Sequence, residues 1–496
     1  MQIVLRGDAA GYEAEHVARL FFPGAELAGA DCRLDDPDAD VVAAVDHTLA
    51  RLVYLRRGGR LWWRMETVSR QDTRRRREYA LCRLLYELLK ACTGIRPPWG
   101  MMTGVRPVRI IHDMRAEGAC EADIAERFLD TYDCTPHRFE MARAIADLQR
   151  PVLESCAPQD CSVYAGIPFC PSRCSYCSFV SRTVGDRSTQ ALVDPYVDCL
   201  CRELEATRTQ VERCGLRVRT LYIGGGTPTS LSAPQLRRLM EKMADCFPLD
   251  AVQEYTVEAG RPDCTDEEKL RIIKEYGATR ISINPQTFSD EVLRGIGRRH
   301  TAQDILDCYH TARAVGHTNI NMDLIAGLPG DTVEGFRRSL ETAISLEPEN
   351  ITVHTLTLKR ASNLVVEHRA AAYDDVAAML EQCTLLEQAG YRPYYLYRQK
   401  GTLQNLENIG WSKPGCECLY NIYIMEEVHS ILSAGAGGST KLVTPGVRHG
   451  RIERIFNYKY PTEYIDRFDM VLARKEGVKH FYDTCRKNAA ETAGRV

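Results

Sequence analysis

The chain has 496 residues, with 64 Lys and Arg against 67 Asp and Glu and a formal net charge of −3, a near-balance that speaks against a globally basic nucleic-acid coat and against an acidic solvating tail. At 44% hydrophobic and 26% charged, it has the composition of an ordinary soluble globular protein of about three domains, and no apolar run approaches the roughly 20 residues of a membrane helix. Twenty cysteines are the outlier; in a long helix-and-strand chain with no secretory signal in its opening residues, they point to metal binding, redox work or core packing in a cytoplasmic protein rather than to a disulfide scaffold.

In chain order, residues 2–5 predict a strand and 13–22 an amphipathic helix. Residues 41–48 and 51–67 read as strand pieces with a Gly58-Gly59 turn. A helix over 73–92 follows, with Tyr79, Leu81, Leu84, Leu85, Leu88 and Leu89 at helical spacing. Two Pro-bearing stretches (residues 94–100 and 103–107) then punctuate the chain. Further helices run to about Gln149, and Pro151 with the polar stretch to Cys161 reads as a boundary.

From residue 162 the rhythm changes. Six apolar, strand-like runs, near residues 163, 221, 256, 281, 321 and 353, alternate with helical segments. Buried, non-alternating strands separated by helices predict a parallel sheet with helices outside, and six such units make an incomplete barrel. Barrels of this kind place their chemistry at the C-terminal ends of the strands. Beyond about residue 390 the pattern turns aromatic and Gly-rich, read as a region packing over the barrel mouth; after Arg467 it is charged and helical, with a frayed end. The expected organisation is therefore α/β: an N-terminal α+β domain (1–155), a partial (β/α)6 barrel (156–390) and a C-terminal α/β region (391–496).

Directly after the first of the six strands stand Cys170, Cys174 and Cys177, in the order CPSRCSYC. Free cysteines are usually dispersed and buried singly, whereas these crowd one short loop at a strand's C-terminal end. A zinc site normally takes four ligands, and no paired CxxC or HxxxH completes the set nearby. Thiolates also hold iron–sulfur clusters. Three of them ligate three irons of a [4Fe–4S] cluster and leave the fourth open to an exogenous ligand.

This CxxxCxxC resembles the signature of the radical S-adenosylmethionine (SAM) superfamily. The flanking motifs narrow the resemblance: Tyr164 with IPFC (167–170), GGGTPT (224–229), VEAGRPD (257–263), RISINPQTF (280–288), GRRHT (297–301) and MDLIAGLPGDT (322–332) are similar to the oxygen-independent coproporphyrinogen III dehydrogenase group. The long N-terminal region with TGVRP (103–107) is most similar to the HemZ branch. The resemblance implies a radical-SAM barrel that binds a [4Fe–4S] cluster and SAM. It places Tyr164 and Tyr176 on the cluster and adenine side, and Gly225, Gly226 and Thr227 at the methionyl end of SAM. Glu258, Gln286, Arg298 and Asp323 match SAM-binding positions, and Thr355 and Gly438 fall at more weakly matched ones. Glycines suit the task, since backbone without Cβ approaches a ligand closely; a phosphate-binding P-loop would need a GK[ST] ending that is missing here.

The resemblance further implies oxidative decarboxylation of coproporphyrinogen III to protoporphyrinogen IX, with an anionic tetrapyrrole as substrate and an electron donor such as flavodoxin or ferredoxin as partner. Two residues depart from the decarboxylating relatives: Gly166 stands where they carry a His, and Phe179 where they carry a fourth Cys. The Phe is shared with heme chaperones of the HemW type. Heme binding and delivery is thus the rival expectation, with His354 or Tyr420, Tyr423 and Met425 as axial ligands; modification or opening of another tetrapyrrole is a third. Residues 51–110 hold 15 Arg and Lys against 4 Asp and Glu. Residues 74–77 read as a solvated face and Arg96, Arg106 and Arg109 as candidates for an anionic ligand. Trp62 and Trp63 offer stacking for a nucleic acid, the last-ranked target. Cys416 and Cys418 read as incidental.

Overall fold

In the computed structural model the first unit, Met1–Ala146 together with Leu396–Glu407, is built on a mixed five-stranded sheet. Its elements are β1 (Gln2–Arg6), α1 (Tyr12–Phe21), β2 (Glu26–Leu27), β3 (Val41–Asp46), β4 (Ala50–Arg57), β5 (Arg60–Thr67) and α2 (Arg74–Thr93). The strand order is β2-β1-β3-β4-β5, with β1 parallel to both neighbours and β3, β4 and β5 antiparallel. Gly58 and Gly59 take φ of 54° and 72°, the paired left-handed conformation that turns β4 back onto β5. Ile3, Val42, Val53 and Leu55 of the sheet form one core with Val17 and Phe21 of α1 and Leu81, Leu85 and Leu88 of α2. Thr73 caps α2 by accepting from the Arg76 amide, and Gly94 ends it in the left-handed region at φ 71°. Then come α3 (Pro107–Ala116), α4 (Glu121–Glu126) and α5 (Pro136–Glu154). Pro151, expected to mark a boundary, instead lies inside α5, which continues for about one more turn.

The structure describes residues 1–7, 11–28, 39–47, 50–69, 72–104, 106–179, 181–358, 362, 374–399 and 402–493. Thr48 of the expected strand 41–48, Val105 of TGVRP and the expected frayed end at 494–496 lie outside the described residues.

Two expectations for this unit are corrected. Trp62 packs against the core while Trp63, its neighbour on a strand, is 60% exposed; the pleat sends adjacent side chains to opposite faces, so the pair makes no joint stacking platform. Arg96 is not held out for a ligand: its Nη2 lies 2.8 Å from Asp133, which also takes Lys90 at 2.7 Å. Arg74, Arg75 and Arg76 are exposed as expected, and Arg77 pairs with Asp46 at 2.6 Å.

The second unit, Asp147–Tyr395 with Asn408–Val496, carries the large sheet. Its elements are β6 (Asp160–Ile167), the short β7 (Phe169–Cys170) and β8 (Arg182–Thr183), α6 (Arg187–Cys214), β9 (Arg217–Gly225), α7 (Ala233–Cys246), β10 (Glu254–Glu258), α8 (Glu267–Glu275), β11 (Arg280–Ser282), α9 (Asp290–Gly295), α10 (Ala302–Val315), β12 (Ile320–Ala326), α11 (Val333–Ser345) and β13 (Asn350–Thr355). They are followed by β14 (Arg392–Arg398), β15 (Glu407–Ser412), β16 (Ser430–Ala434), β17 (Ser439–Val443) and β18 (Ile452–Phe456), and the chain closes on the helix Phe468–Ala493. The sheet order is β14-β15-β13-β12-β11-β10-β9-β6-β16-β17-β18. All six strands expected from the sequence are adjacent, in chain order and parallel, which makes the open, partial barrel. Helix starts after the strands are capped by side chains: Asp186 for α6, Asp266 for α8, Thr301 for α10 and Thr332 for α11.

Residues beyond 390 extend the large sheet. β16 adds a seventh parallel strand beside β6, β15 pairs antiparallel with β13, and β17 and β18 extend the other edge. The chain groups into two compact units. Residues 396–407 belong with the first unit, where Glu407 is buried and receives the Trp99 indole N–H at 2.7 Å and Arg138 at 2.8 Å. No helix among the described residues is long and apolar enough to cross a membrane.

Candidate functional site

One face of the parallel strands is polar. Tyr222 donates to Glu258 at 2.7 Å; Asn321 donates to Ser282 and to Asp323, both at 2.7 Å; Thr352 donates to Asn321 at 2.9 Å. The alternate residues Ala165, Ile223, Val257, Ile281 and Leu324 are fully buried on the other face. The sequence's candidate residues gather at the C-terminal ends of these strands.

The thiol loop leaves β6 and is tied down from both sides. The Gly226 amide donates to Ile167 O at 2.7 Å and the Thr227 amide to Phe169 O at 2.8 Å, stitching the glycine turn after β9 to the Cys170 backbone. Thr227 Oγ1 lies 3.5 Å from Cys170 Sγ. A Cβ on Gly226 would stand 2.9 Å from that sulfur, and one on Gly224 would stand 3.0 Å from the Glu258 carboxylate. On the far side, the Ser175 amide donates to Ile296 O and Ser172 Oγ to Gly297 O, both at 3.0 Å. Burial pushes the Cys170 and Cys177 thiols up, and the neighbouring sulfurs add to the effect.

Among the described residues no three His, Cys, Asp or Glu side chains converge on a point suited to a single metal ion. A cuboidal cluster binds each thiolate at a separate corner and so calls for sulfurs set further apart than a lone ion does. Three thiolates with no fourth are the donor set of a cluster with one open iron. A further orphaned group fits its ligand: Arg298 is buried, spends Nη1 on Asn284 O at 2.6 Å and Nη2 on the Tyr176 hydroxyl at 3.4 Å, and keeps its Nε without a partner. A buried guanidinium donor of this kind suits a carboxylate.

The remaining candidates lie as follows. Tyr164 stacks on Tyr222 and Tyr420 at 5.9 and 6.4 Å between ring centres. Glu258 is pushed up to about 7, burial outweighing its bond from Tyr222. Asp323 goes the other way: burial opposes its charge, but His354 (Nε2 at 3.8 Å), Asn321 and Arg280 hold it below the usual carboxylate range. Gln286 adopts the left-handed region at φ 70°, with its amide donating to Asp323 O and its carbonyl accepting from the Ile325 amide. A non-glycine residue held there by two backbone bonds marks a strained, over-determined position beside the site. The Thr355 amide donates to Asn408 Oδ1 at 3.0 Å. Gly438 lies in the loop after β16. That loop returns to the site: a cavity of about 190 Å³ is lined by Tyr164, Gly166, Phe179, Gly226, Gly438 and Lys459, among others.

The expected axial-ligand set does not assemble. Tyr420 stacks on Tyr222 at 4.6 Å whereas Tyr423 stacks on His429 at 3.8 Å. Cys418 is a core thiol donating to Glu254 at 3.3 Å. Sequence reasoning missed the residues behind the thiol loop: Arg261 and Asp263 of VEAGRPD, His300 of GRRHT, and Tyr196, whose hydroxyl donates to Gly166 O at 2.6 Å. A buried RPD after a strand end was the available signal for the first two.

An open parallel barrel with three thiols on the loop after its first strand and a glycine turn after its second defines a class. Residues 164–343 match the model of the Radical SAM superfamily. Over 389 residues, 77% of each chain, the sequence is 39% identical to the oxygen-independent coproporphyrinogen-III oxidase-like protein HemZ of Bacillus subtilis. It is 31% identical to the heme chaperone HemW of the same organism over 67% of this chain and 87% of that one. The solved coproporphyrinogen III oxidase HemN of Escherichia coli aligns with a TM-score of 0.49 at 24% identity, covering 66% of this chain and 72% of that one. The chain belongs to the HemN/HemZ/HemW family of radical SAM proteins, which use a [4Fe–4S] cluster and SAM.

Proposed function

We propose that this protein is a radical SAM enzyme acting on an anionic tetrapyrrole, and that its reaction is the oxidative decarboxylation of coproporphyrinogen III to protoporphyrinogen IX. The observation that carries this reading is the shared cavity: the glycine turn against Cys170, the aromatic faces of Tyr164 and Phe179, and the Lys459 side chain line one space. At about 190 Å³ it falls below the ~300 Å³ at which pockets for whole drug-sized ligands begin, so it takes one propionate-bearing edge of a macrocycle.

In this reading Cys170, Cys174 and Cys177 hold the cluster. The amides around Gly225, Gly226 and Thr227 meet the methionyl end of SAM, and the Arg298 Nε donates to its carboxylate. Glu258, Gln286 and Asp323 offer polar partners to the nucleoside; Tyr176 orients Arg298. When bound, the cluster and SAM supply one-electron cleavage of a carbon–sulfur bond and hydrogen-atom abstraction from the substrate. The chain's part is to position the propionate, with Lys459 as its cation, and to keep water from the reacting edge. An electron donor such as flavodoxin or ferredoxin supplies the electron for that cleavage, and an external one-electron acceptor takes the electron that the substrate gives up with CO₂.

A second reading is heme holding without turnover, and two observations favour it. Gly166 offers no side chain at the position where the decarboxylating relatives carry His, and a Cβ there would already meet Tyr164 at 3.3 Å. Phe179 is 64% exposed, an apolar face suited to a flat macrocycle. Anaerobic incubation of the reconstituted protein with SAM, dithionite and each tetrapyrrole separates the two. Release of CO₂ from coproporphyrinogen III with formation of 5′-deoxyadenosine supports decarboxylation. Tight heme binding with neither product supports the second reading.

A further inference from the structure

Arg261 is 4% exposed, in the loop that follows β10. Asp263 clamps it bidentately, with Nε and Nη2 donating at 2.9 and 2.7 Å. The same guanidinium donates from Nη2 to Ser172 Oγ at 2.9 Å, and its Nη1 lies 3.4 Å from Ser172 O and 3.6 Å from Cys174 Sγ. Behind the clamp stands His300, fully enclosed, with Nδ1 3.6 Å from Asp263 Oδ1.

The three sulfurs are thus unequal. Cys170 receives the neutral hydroxyl of Thr227, and Cys177 a backbone amide from Phe179. Among the described residues, Cys174 is the one of the three that a guanidinium donor faces at hydrogen-bond distance. Burying a guanidinium is costly, and one carboxylate meets only part of its hydrogen-bonding capacity. The rest of Arg261 is directed at the thiol loop, through Ser172 and Cys174.

We propose that Arg261, clamped by Asp263, is a positioning residue that raises the reduction potential of the iron–sulfur centre by charge-assisted donation to Cys174. The inference rests on the assignment of Cys174 as a cluster ligand. The physical sense is direct. The oxidised centre takes up one electron, and no proton, from an external donor; the reduced centre is the more negative, so a nearby cation and an N–H···S donor stabilise it more. The geometry also makes the effect local, because Asp263 prevents the guanidinium from turning away to solvent.

The test is an EPR-monitored redox titration of anaerobically reconstituted protein, with iron and sulfide quantified in each sample. Arg261→Leu is expected to load the cluster and to be reduced about tenfold less at a fixed ambient potential, which for a one-electron couple is a shift of about 59 mV toward negative values. Arg261→Lys keeps the cation without the fork and is expected to fall between Arg261→Leu and the wild type. An unmoved midpoint in fully loaded Arg261→Leu overturns the proposal. Should Arg261→Leu fail to load, the Lys variant decides it: a midpoint equal to that of the wild type overturns the proposal, and a negative shift supports it. Failure of the wild type itself to bind iron would instead sink the ligand assignment, so the two failures are distinguishable.

Discussion

Gly226 leaves room for the sulfur of Cys170 and for little else: a Cβ at this position would stand 2.9 Å from Sγ and 2.5 Å from the Phe169 carbonyl oxygen. Neither neighbour can give way, since the Phe169 carbonyl accepts from the Thr227 amide and the sulfur is needed where it is. Gly226→Ala is therefore expected to displace the thiol loop while leaving the barrel folded. Iron content after anaerobic reconstitution should drop about tenfold or more with an unchanged far-ultraviolet circular dichroism spectrum. Full iron loading would show that the close approach has no bearing on the cofactor.

Glu203 on α6 is the hub beneath the loop that follows β16. Its carboxylate is fully buried and accepts from the Gly435 amide at 2.7 Å, Asn457 at 2.8 Å and the Tyr464 hydroxyl at 2.6 Å, and it pairs with Lys475 at 2.7 Å. Removing one partner of a buried pair leaves the other charge stranded, at a cost of about 3–5 kcal/mol. Glu203→Ala should lower the stability of the second unit by that amount in urea unfolding, and Glu203→Gln by less, because its amide oxygen still accepts. Equal stabilities for the wild type and Glu203→Ala would contradict this.

Acid sensitivity is expected from His429. Its ring is fully buried, stacks on Tyr423 and is bonded to Ser162 at 3.2 Å; burial pulls its pKa from 6.5 down to about 4, against the pull of Asp160. The unfolded chain takes up this proton near 6.5 and the folded chain only near 4, so stability is intact above pH 6.5 and is lost as the pH falls from 6.5 to 4. The loss amounts to about 3 kcal/mol. His429→Gln should flatten that part of the curve relative to the wild type; parallel curves would assign the acid sensitivity elsewhere.

Gln286 separates a structural from a binding role. Relieving a non-glycine left-handed residue gains on the order of 1 kcal/mol, so Gln286→Gly should melt no lower than the wild type. If the side chain also meets SAM, equilibrium dialysis should show SAM affinity reduced about tenfold or more. Unchanged affinity removes Gln286 from the binding set.

The barrel was legible because six strand-like runs alternate with helical segments, and the thiol loop because three cysteines in eight residues are rare by any other rule. β16 was not, since SILSA leading into a glycine-rich turn carries no signal that it pairs with β6, some 270 residues earlier. The return of residues 396–407 to the first unit was equally hidden, because the Glu407 contacts to Trp99 and Arg138 join positions far apart in sequence. Arg261 lies within VEAGRPD, yet its role depends on Asp263 two residues on and on Cys174 across a loop, and only the fold brings the latter within reach.

The central claim is that Cys170, Cys174 and Cys177 carry a [4Fe–4S] cluster with one iron left for SAM. Purified anaerobically and rebuilt with iron and sulfide, the wild-type protein should hold about four irons per chain and be coloured, with a reduced-state EPR signal that changes on adding SAM. Cys174→Ala should lose both the colour and the SAM-dependent change. A colourless, iron-free wild type, or a Cys174→Ala variant with an unaltered spectrum, would contradict the account.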